Sequence, residues 1–189
     1  MRKIIVQQWI SLDGFASDRD GTTKFFENPD LDYSGIHKDQ LELFETIDAA
    51  ILGATTYKMF AEYWPTEAAK DEPVAPKINA LEKIVFSKKM NAALWGPATI
   101  YRDDLGDAVR ELKNSPGKNM VIWGSLSICE ALAENDLIDE YLLYVVPAFI
   151  GKGRRFFPDD KELHNMDLYE TKTFDGGIVS LKYRVRPKK

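Results

Sequence analysis

The sequence predicts an α/β protein, a mixed but mainly parallel sheet with helices on both faces and a C-terminal antiparallel hairpin, on three observations. Short apolar, β-branched runs alternate with amphipathic stretches of helical spacing, the order of parallel strands joined by crossover helices. Two of those runs pass through a glycine directly into a helical stretch, at Gly53-Ala54-Thr55-Thr56 and at Gly124-Ser125-Leu126. The chain closes on two alternating runs around Asp175-Gly176-Gly177, the pattern of a hairpin. At 189 residues this fits one domain, residues 1–189, large enough to bury a core.

Residues 4–10 form an apolar run closed by Ser11-Leu12-Asp13-Gly14, a buried strand ending in a turn. From 14 to 35 the sequence is polar and broken by Gly21, Pro29 and Gly35, which predicts a long mobile loop of the kind that serves as a lid. Leu41, Leu43, Phe44 and Ile47 give helical spacing over 36–47. Residues 48–53 make a second strand, and 54–60 a helix with a threonine cap. Pro65, Pro73 and Pro76 mark a loop, followed by a short helix, a strand over 83–87 and another over 98–101. Asp104 caps a helix whose apolar face holds Leu105, Val109 and Leu112 and which Ser115-Pro116-Gly117 ends. The strand over 119–123 leads to a helix capped by Ser125 or by Ser127, the latter in a capping box with Glu130. Residues 139–146 are a long apolar strand stopped by Pro147. Strands near 168–174 and 178–185 form the hairpin; in the second, Leu181, Tyr183 and Val185 point inward and Ser180, Lys182 and Arg184 outward.

A net charge of −5 denies the chain the positive field that holds nucleic acid or an anionic membrane. Cys129 stands alone, so it forms no intramolecular disulfide and packs as a small buried hydrophobe, as suits a reducing cytoplasm. Gln7 and Gln8 interrupt the first apolar run and no later run spans a bilayer, so neither export nor a membrane anchor is expected.

Ligands of such a sheet lie beyond the carboxyl ends of the strands, where helix N-termini present free N–H groups to phosphates. Gly53 and Gly124 allow close backbone approach, and the hydroxyls of Thr55, Thr56 and Ser125 add hydrogen bonds, although glycines and capping hydroxyls also serve plain architecture. Ser87-Lys88-Lys89 ends a third strand with a hydroxyl and two ammonium groups, suited to a phosphate or to a solvated turn. Asp13, just past the first strand, is placed either to relay a proton or to satisfy its own turn. Gly151-Lys152-Gly153-Arg154-Arg155 lacks the third glycine of a dinucleotide fingerprint and reads as a basic loop able to hold a substrate phosphate. Asp139 and Glu140 read as solvated, and His37 and His164 have no partners at metal-ligand spacing, so no metal is expected. Hydrolase and kinase signatures are absent.

In their order along the chain these stretches resemble the dihydrofolate reductase superfamily, most closely the reductase domain of the bifunctional riboflavin-biosynthesis deaminase-reductase and its stand-alone relatives. The likeness runs through Ser11-Leu12-Asp13-Gly14, Gly53-x-x-Thr56-Tyr57, Ser87-Lys88, Val121-Ile122-Trp123-Gly124-Ser125 and Leu137-Ile138-Asp139-Glu140-Tyr141. It continues through Pro147-x-x-x-Gly151-x-Gly153 to Phe156-Phe157. The resemblance implies a dihydrofolate reductase-like three-layer fold, NADPH across the strand ends, direct hydride transfer to a small heterocycle, and a homodimer. It assigns Gly53, Thr55, Thr56, Gly124, Ser125 and Leu126 to the cofactor's phosphates, Ser87 and Lys88 to its adenosine phosphate end, and Asp13 to the chemistry. Ala54 stands where the family often has an arginine for the 2′-phosphate, so NADPH preference passes to Lys88 or Lys89. Trp123 takes the place of the first of two glycines, which would narrow the cofactor groove. With two His and one Cys the deaminase zinc signature is missing.

These readings lead to an NADPH-dependent reductase resembling 5-amino-6-(5-phosphoribosylamino)uracil reductase. A dihydrofolate reductase proper is the alternative. It requires a buried carboxylate on the helix before the second strand, where Asp39 and Glu42 both fit a solvated face better. A non-catalytic NADP-binding protein is the rival of another class, suggested by Ala54 and Trp123.

Overall fold

The runs Ala49-Ala50-Ile51-Leu52 and Met120-Val121-Ile122-Trp123, apolar at every position, form strands buried on both faces, and the spaced apolar residues Leu105, Val109 and Leu112 lie on a helix. The computed structural model describes residues 1–27, 30–157 and 165–187, so the expected Pro29 break and His164 lie outside it. In chain order the first elements are β1 (Ile4–Ser11), β2 (Phe15–Asp18), α1 (Ser34–Phe44), β3 (Ile47–Gly53), α2 (Ala54–Ala61), α3 (Ala75–Ala80), β4 (Glu82–Phe86) and β5 (Ala98–Tyr101). There follow α4 (Leu105–Asn114), β6 (Asn119–Trp123), α5 (Leu126–Glu134), β7 (Glu140–Val146), β8 (Gly153–Arg155), β9 (Met166–Thr173) and β10 (Val179–Val185). They gather in two units, Met1–Ile5 with His37–Ile138, and Val6–Ile36 with Asp139–Lys189.

In the first unit β5, β4, β3 and β6 lie side by side, and the pairs β5–β4, β4–β3 and β3–β6 are all parallel. On one sheet face Ala50, Leu52, Val85, Val121 and Trp123 pack with Phe44 of α1, Tyr57 of α2 and Ile78 of α3. The alternate residues Ile51, Ile84, Met120 and Ile122 are buried as well, at 0–2% exposure. Burial of both alternating sets requires cover on both faces, and Val109 of α4 with Ile128 and Leu132 of α5 supply the second layer's buried apolar groups. Asp104 caps α4 as expected, its Oδ1 accepting from the N–H groups of Gly106 (2.9 Å) and Asp107 (3.1 Å).

The second unit contains β1 from Val6 onward, beside β7, then β10 and β9. β7, β10 and β9 are successively antiparallel, so the expected terminal hairpin is present. Its inward and outward residues differ from expectation. Ser180 pairs with Tyr144 and shares its buried face at 0% exposure, while Leu181 is only half-buried. Glu140 is buried too, because the Tyr169 hydroxyl donates to its Oε2 at 3.0 Å and Arg184 pairs with it at 3.7 Å. The expected lid region carries a strand: β2 pairs antiparallel with β8, and the Arg155 guanidinium lies 4.7 Å over the Phe15 ring.

Candidate functional site

β3 and β6 are parallel neighbours with Ile51 opposite Ile122, so Gly53 and Gly124 emerge side by side at their carboxyl ends. Each strand feeds a helix within two residues, α2 after Gly53 and α5 after Ser125. Gly124 (φ 55°) and Ser125 (φ 51°) both take the left-handed conformation, turning β6 sharply into α5. Neither threonine caps α2, whose N-cap is Gly53 without a side-chain bond, and no side-chain cap bond is made at Ser125.

The hydroxyls tie the two helix starts together instead. Ser125 Oγ accepts from the Gly53 N–H at 2.7 Å and donates to Thr56 Oγ1 at 2.9 Å, and the Ser125 N–H also donates to Thr56 Oγ1 at 3.1 Å. A Cβ on Gly53 would lie 3.1 Å from Ser125 Oγ, and one on Gly124 3.4 Å from Thr56 Oγ1, so both glycines allow the clasp to close. Thr56 is buried by these contacts, Thr55 is exposed, and Leu126 is half-buried in the first turn of α5. Two helix N-termini held side by side offer unpaired backbone N–H groups and partial positive charge, a cradle for an anionic diphosphate.

At the next strand end, Ser87 Oγ accepts from the N–H groups of Lys89 (3.3 Å) and Met90 (3.0 Å) and shapes the turn that exposes Lys88 and Lys89. Sequence reasoning missed Arg102, a lone cation just after β5. It donates from Nη1 to the carbonyls of Ser87 (3.2 Å) and Lys88 (3.3 Å), and from Nη2 to that of Met90 (2.8 Å). The residues expected to hold the cofactor's phosphates therefore belong to the first unit, with Gly53, Thr56, Gly124 and Ser125 in direct contact, while the basic loop expected to hold a substrate phosphate belongs to the second.

Asp13 belongs to the second unit. Its Oδ1 accepts from the Ser11 hydroxyl at 2.6 Å and the Ile150 N–H at 3.3 Å, and its Oδ2 accepts from the Gly151 N–H at 2.7 Å. Burial opposes its ionisation, but the Ser11, Gly151 and Ile150 donors outweigh that and hold the carboxyl below its ordinary value. Asp13 is thus an ionised acceptor that fastens the 150–151 backbone. In the basic loop, Lys152 and Arg154 are exposed.

Two further sequence expectations, for Trp123 and for Asp39, resolve differently. Trp123 turns into the core, its ring 5.8 Å from Phe44 and 6.0 Å from Phe60. Asp39 is buried at 2% exposure whereas Glu42 is exposed, because α1 sets Asp39 on the same side as the buried Ile36, three residues earlier. His37 faces Glu72 at 3.5 Å. Cys129 is buried as expected, which pushes its thiol up to about 12. Among the described residues no group of three or more His, Cys, Asp or Glu is placed to hold a metal, and no helix is long and apolar enough to cross a membrane.

The family model of the RibD C-terminal domain matches residues 2–180, and the chain belongs to that family. The uncharacterized Bacillus subtilis protein YyaP is 26% identical over 185 residues, 96% of this chain and 94% of that one. A Shewanella sp. PV-4 structure named provisionally for riboflavin biosynthesis superposes with a TM-score of 0.77 at 19% identity, over 98% of this chain and 99% of that one. The Thermotoga maritima diaminohydroxyphosphoribosylaminopyrimidine deaminase/5-amino-6-(5-phosphoribosylamino)uracil reductase gives 0.68 at 14% identity, over 98% of this chain and 57% of its own. Dihydrofolate reductase from Enterococcus faecalis, in complex with NADP(H), gives 0.59 at 12%, over 98% and 97%. At these identities the structures establish the shared fold.

Proposed function

We propose, from membership of that family, that the chain is an NADPH-dependent reductase that passes a hydride directly to a small heterocycle of the pyrimidine class, as in 5-amino-6-(5-phosphoribosylamino)uracil reduction. The observation that carries this reading is the clasp of Gly53, Thr56 and Ser125, which holds two helix N-termini together at the carboxyl ends of adjacent parallel strands. The first turns of α2 and α5, with Thr55 and Leu126, would hold the cofactor's diphosphate. Ser87 and Lys88 would take its adenosine phosphate end. Bound NADPH would supply the hydride, and the protein would supply binding and orientation. Asp13, kept ionised by its three donors, enters as an acceptor that orders the 150–151 backbone rather than as a proton donor. We also assign the protein to the cytoplasm, as a homodimer, which light scattering on the purified chain would measure.

Fluorescence titration with NADPH tests the cofactor, and hydride transfer to pyrimidine substrates tests the reaction. Absence of binding at millimolar NADPH would sink the reading. Binding without turnover across pyrimidine, pterin and carbonyl substrates would favour the non-catalytic rival, which has lost one of its two supports now that Trp123 lies in the core. The burial of Asp39 favours a second reading, dihydrofolate reductase proper, because a buried carboxylate on that helix suits pterin protonation. A methotrexate thermal shift together with dihydrofolate turnover abolished by D39N would select it.

A further inference from the structure

We infer that Arg102 is the residue through which this chain recognises the 2′-phosphate of NADPH, in place of the arginine that Ala54 displaces; the inference rests on the cofactor reading above. The parallel register sets Gly53 opposite Phe86 and Phe86 opposite Tyr101. The next residues, Ala54, Ser87 and Arg102, therefore follow one another along the carboxyl ends of three neighbouring strands. Two strand spacings separate the Arg102 and Ala54 backbones, about 10 Å. The Arg102 side chain runs back over the intervening Ser87–Met90 turn, which shortens that gap.

Three of the five guanidinium N–H groups are used on the carbonyls of Ser87, Lys88 and Met90, and two remain for an incoming anion. Those acceptors are neutral, so the charge of Arg102 is not cancelled by them. Asp104, two residues on, turns its carboxylate to the Gly106 and Asp107 N–H groups instead. Lys88 and Lys89 are exposed on the same turn, and the Ser87 hydroxyl, which accepts twice, retains its own proton to donate. Three cations and a hydroxyl thus surround one turn of a chain whose net charge is −5. Of the three, Arg102 is the one held in place before ligand arrives. A fixed planar fork discriminates a phosphate dianion from a ribose hydroxyl better than two freely rotating ammonium groups do.

The test compares dissociation constants for NADPH and NADH in the wild type, R102A and the double variant A54R/R102A. R102A is expected to weaken NADPH about tenfold or more while changing NADH less than threefold, and A54R/R102A to restore the preference for NADPH. The NADH arm separates recognition from support of the turn, since a merely structural role weakens both cofactors alike. Equal weakening, or no change, overturns the inference, as does a wild type that binds both cofactors equally; each leaves the reductase reading standing. A wild type that binds neither cofactor removes both.

Discussion

Replacing Lys83 by methionine isolates a charge that the fold holds at a loss. Lys83 lies on β4 at 1% exposure. Its Nζ donates to the carbonyls of Asn79 (2.6 Å) and Gly96 (3.4 Å) and sits 4.2 Å over the Trp95 ring. Burial lowers its pKa from the ordinary 10.5 to about 8. At about 1.4 kcal/mol per pH unit, the protonated form costs the folded chain at most about 3–4 kcal/mol. Below pH 8 the amine is protonated in both states and the cost is complete. Between about pH 8 and 10.5 the unfolded chain keeps the proton and the folded chain releases it, so stability rises with pH. Burial also raises the Cys129 thiol, which works in the opposite sense above about pH 9, and the phenols of Tyr57 and Tyr169, which do so above about pH 10; K83M shares all three, so the difference between the two curves up to about pH 9.5 reports Lys83. K83M also forfeits two hydrogen bonds of about 1 kcal/mol each and the cation–π contact. The change at pH 7 is therefore small, and the slope is diagnostic. Urea unfolding from about pH 7 to 9.5 should show wild-type stability starting near the K83M curve and rising above it. Parallel curves would refute the reasoning.

Gly53→Ala drives a methyl to 3.1 Å from Ser125 Oγ and should weaken NADPH binding about tenfold with a smaller loss of stability, read by titration and by thermal melting. Ser125→Gly suits the left-handed backbone yet loses the clasp, so it should weaken NADPH while leaving the melting temperature within a few degrees, whereas Ser125→Ala should lower both. Cys129, buried with its thiol raised to about 12, should resist a thiol reagent at about pH 8 until urea unfolds the chain, and rapid native labelling would contradict its placement. Leu132→Ala, at a residue with 0% exposure on α5, should cost about 3–4 kcal/mol in urea unfolding; under about 1 kcal/mol would mean the helix does not close that face.

The parallel strands were legible because burial on both faces leaves a continuous apolar run, and α4 because Asp104 caps it locally. The carboxyl-end junctions were legible for the same reason, as glycine and hydroxyl residues follow each strand directly. What escaped was settled by partners far away in sequence. β2 and β8 are short and lie more than 130 residues apart; pairing and the Arg155–Phe15 contact, not propensity, make them strands. Glu140 is buried because Tyr169 and Arg184 reach it from β9 and β10, and Ser180 because the register with β7 puts it beside Tyr144. Asp39 carries no local mark distinguishing it from Glu42, and only the packing of α1 decides which of the two is buried.

Ser125, which belongs to the family pattern, and Trp123, which departs from it, acquire a common physical sense at the cradle. A serine in the left-handed region costs about 1 kcal/mol more than a glycine would, and Ser125 accepts that strain while making three hydrogen bonds to Gly53 and Thr56. Trp123, two residues earlier, gives up the smallness of a glycine and packs its ring against Phe44 of α1 and Phe60 of α2. One residue fixes the start of α5 to the start of α2; the other fixes the end of β6 to the helices beneath. Both lower the freedom of the backbone that would meet a diphosphate, so less remains to be ordered on binding. A chain without the arginine at position 54 has reason to gain affinity in this way, because preorganised N–H groups strengthen attraction to the diphosphate shared by NADPH and NADH. On the proposed reading, discrimination between them would fall to the outer strand ends, where Arg102 and the Ser87–Met90 turn carry the charge.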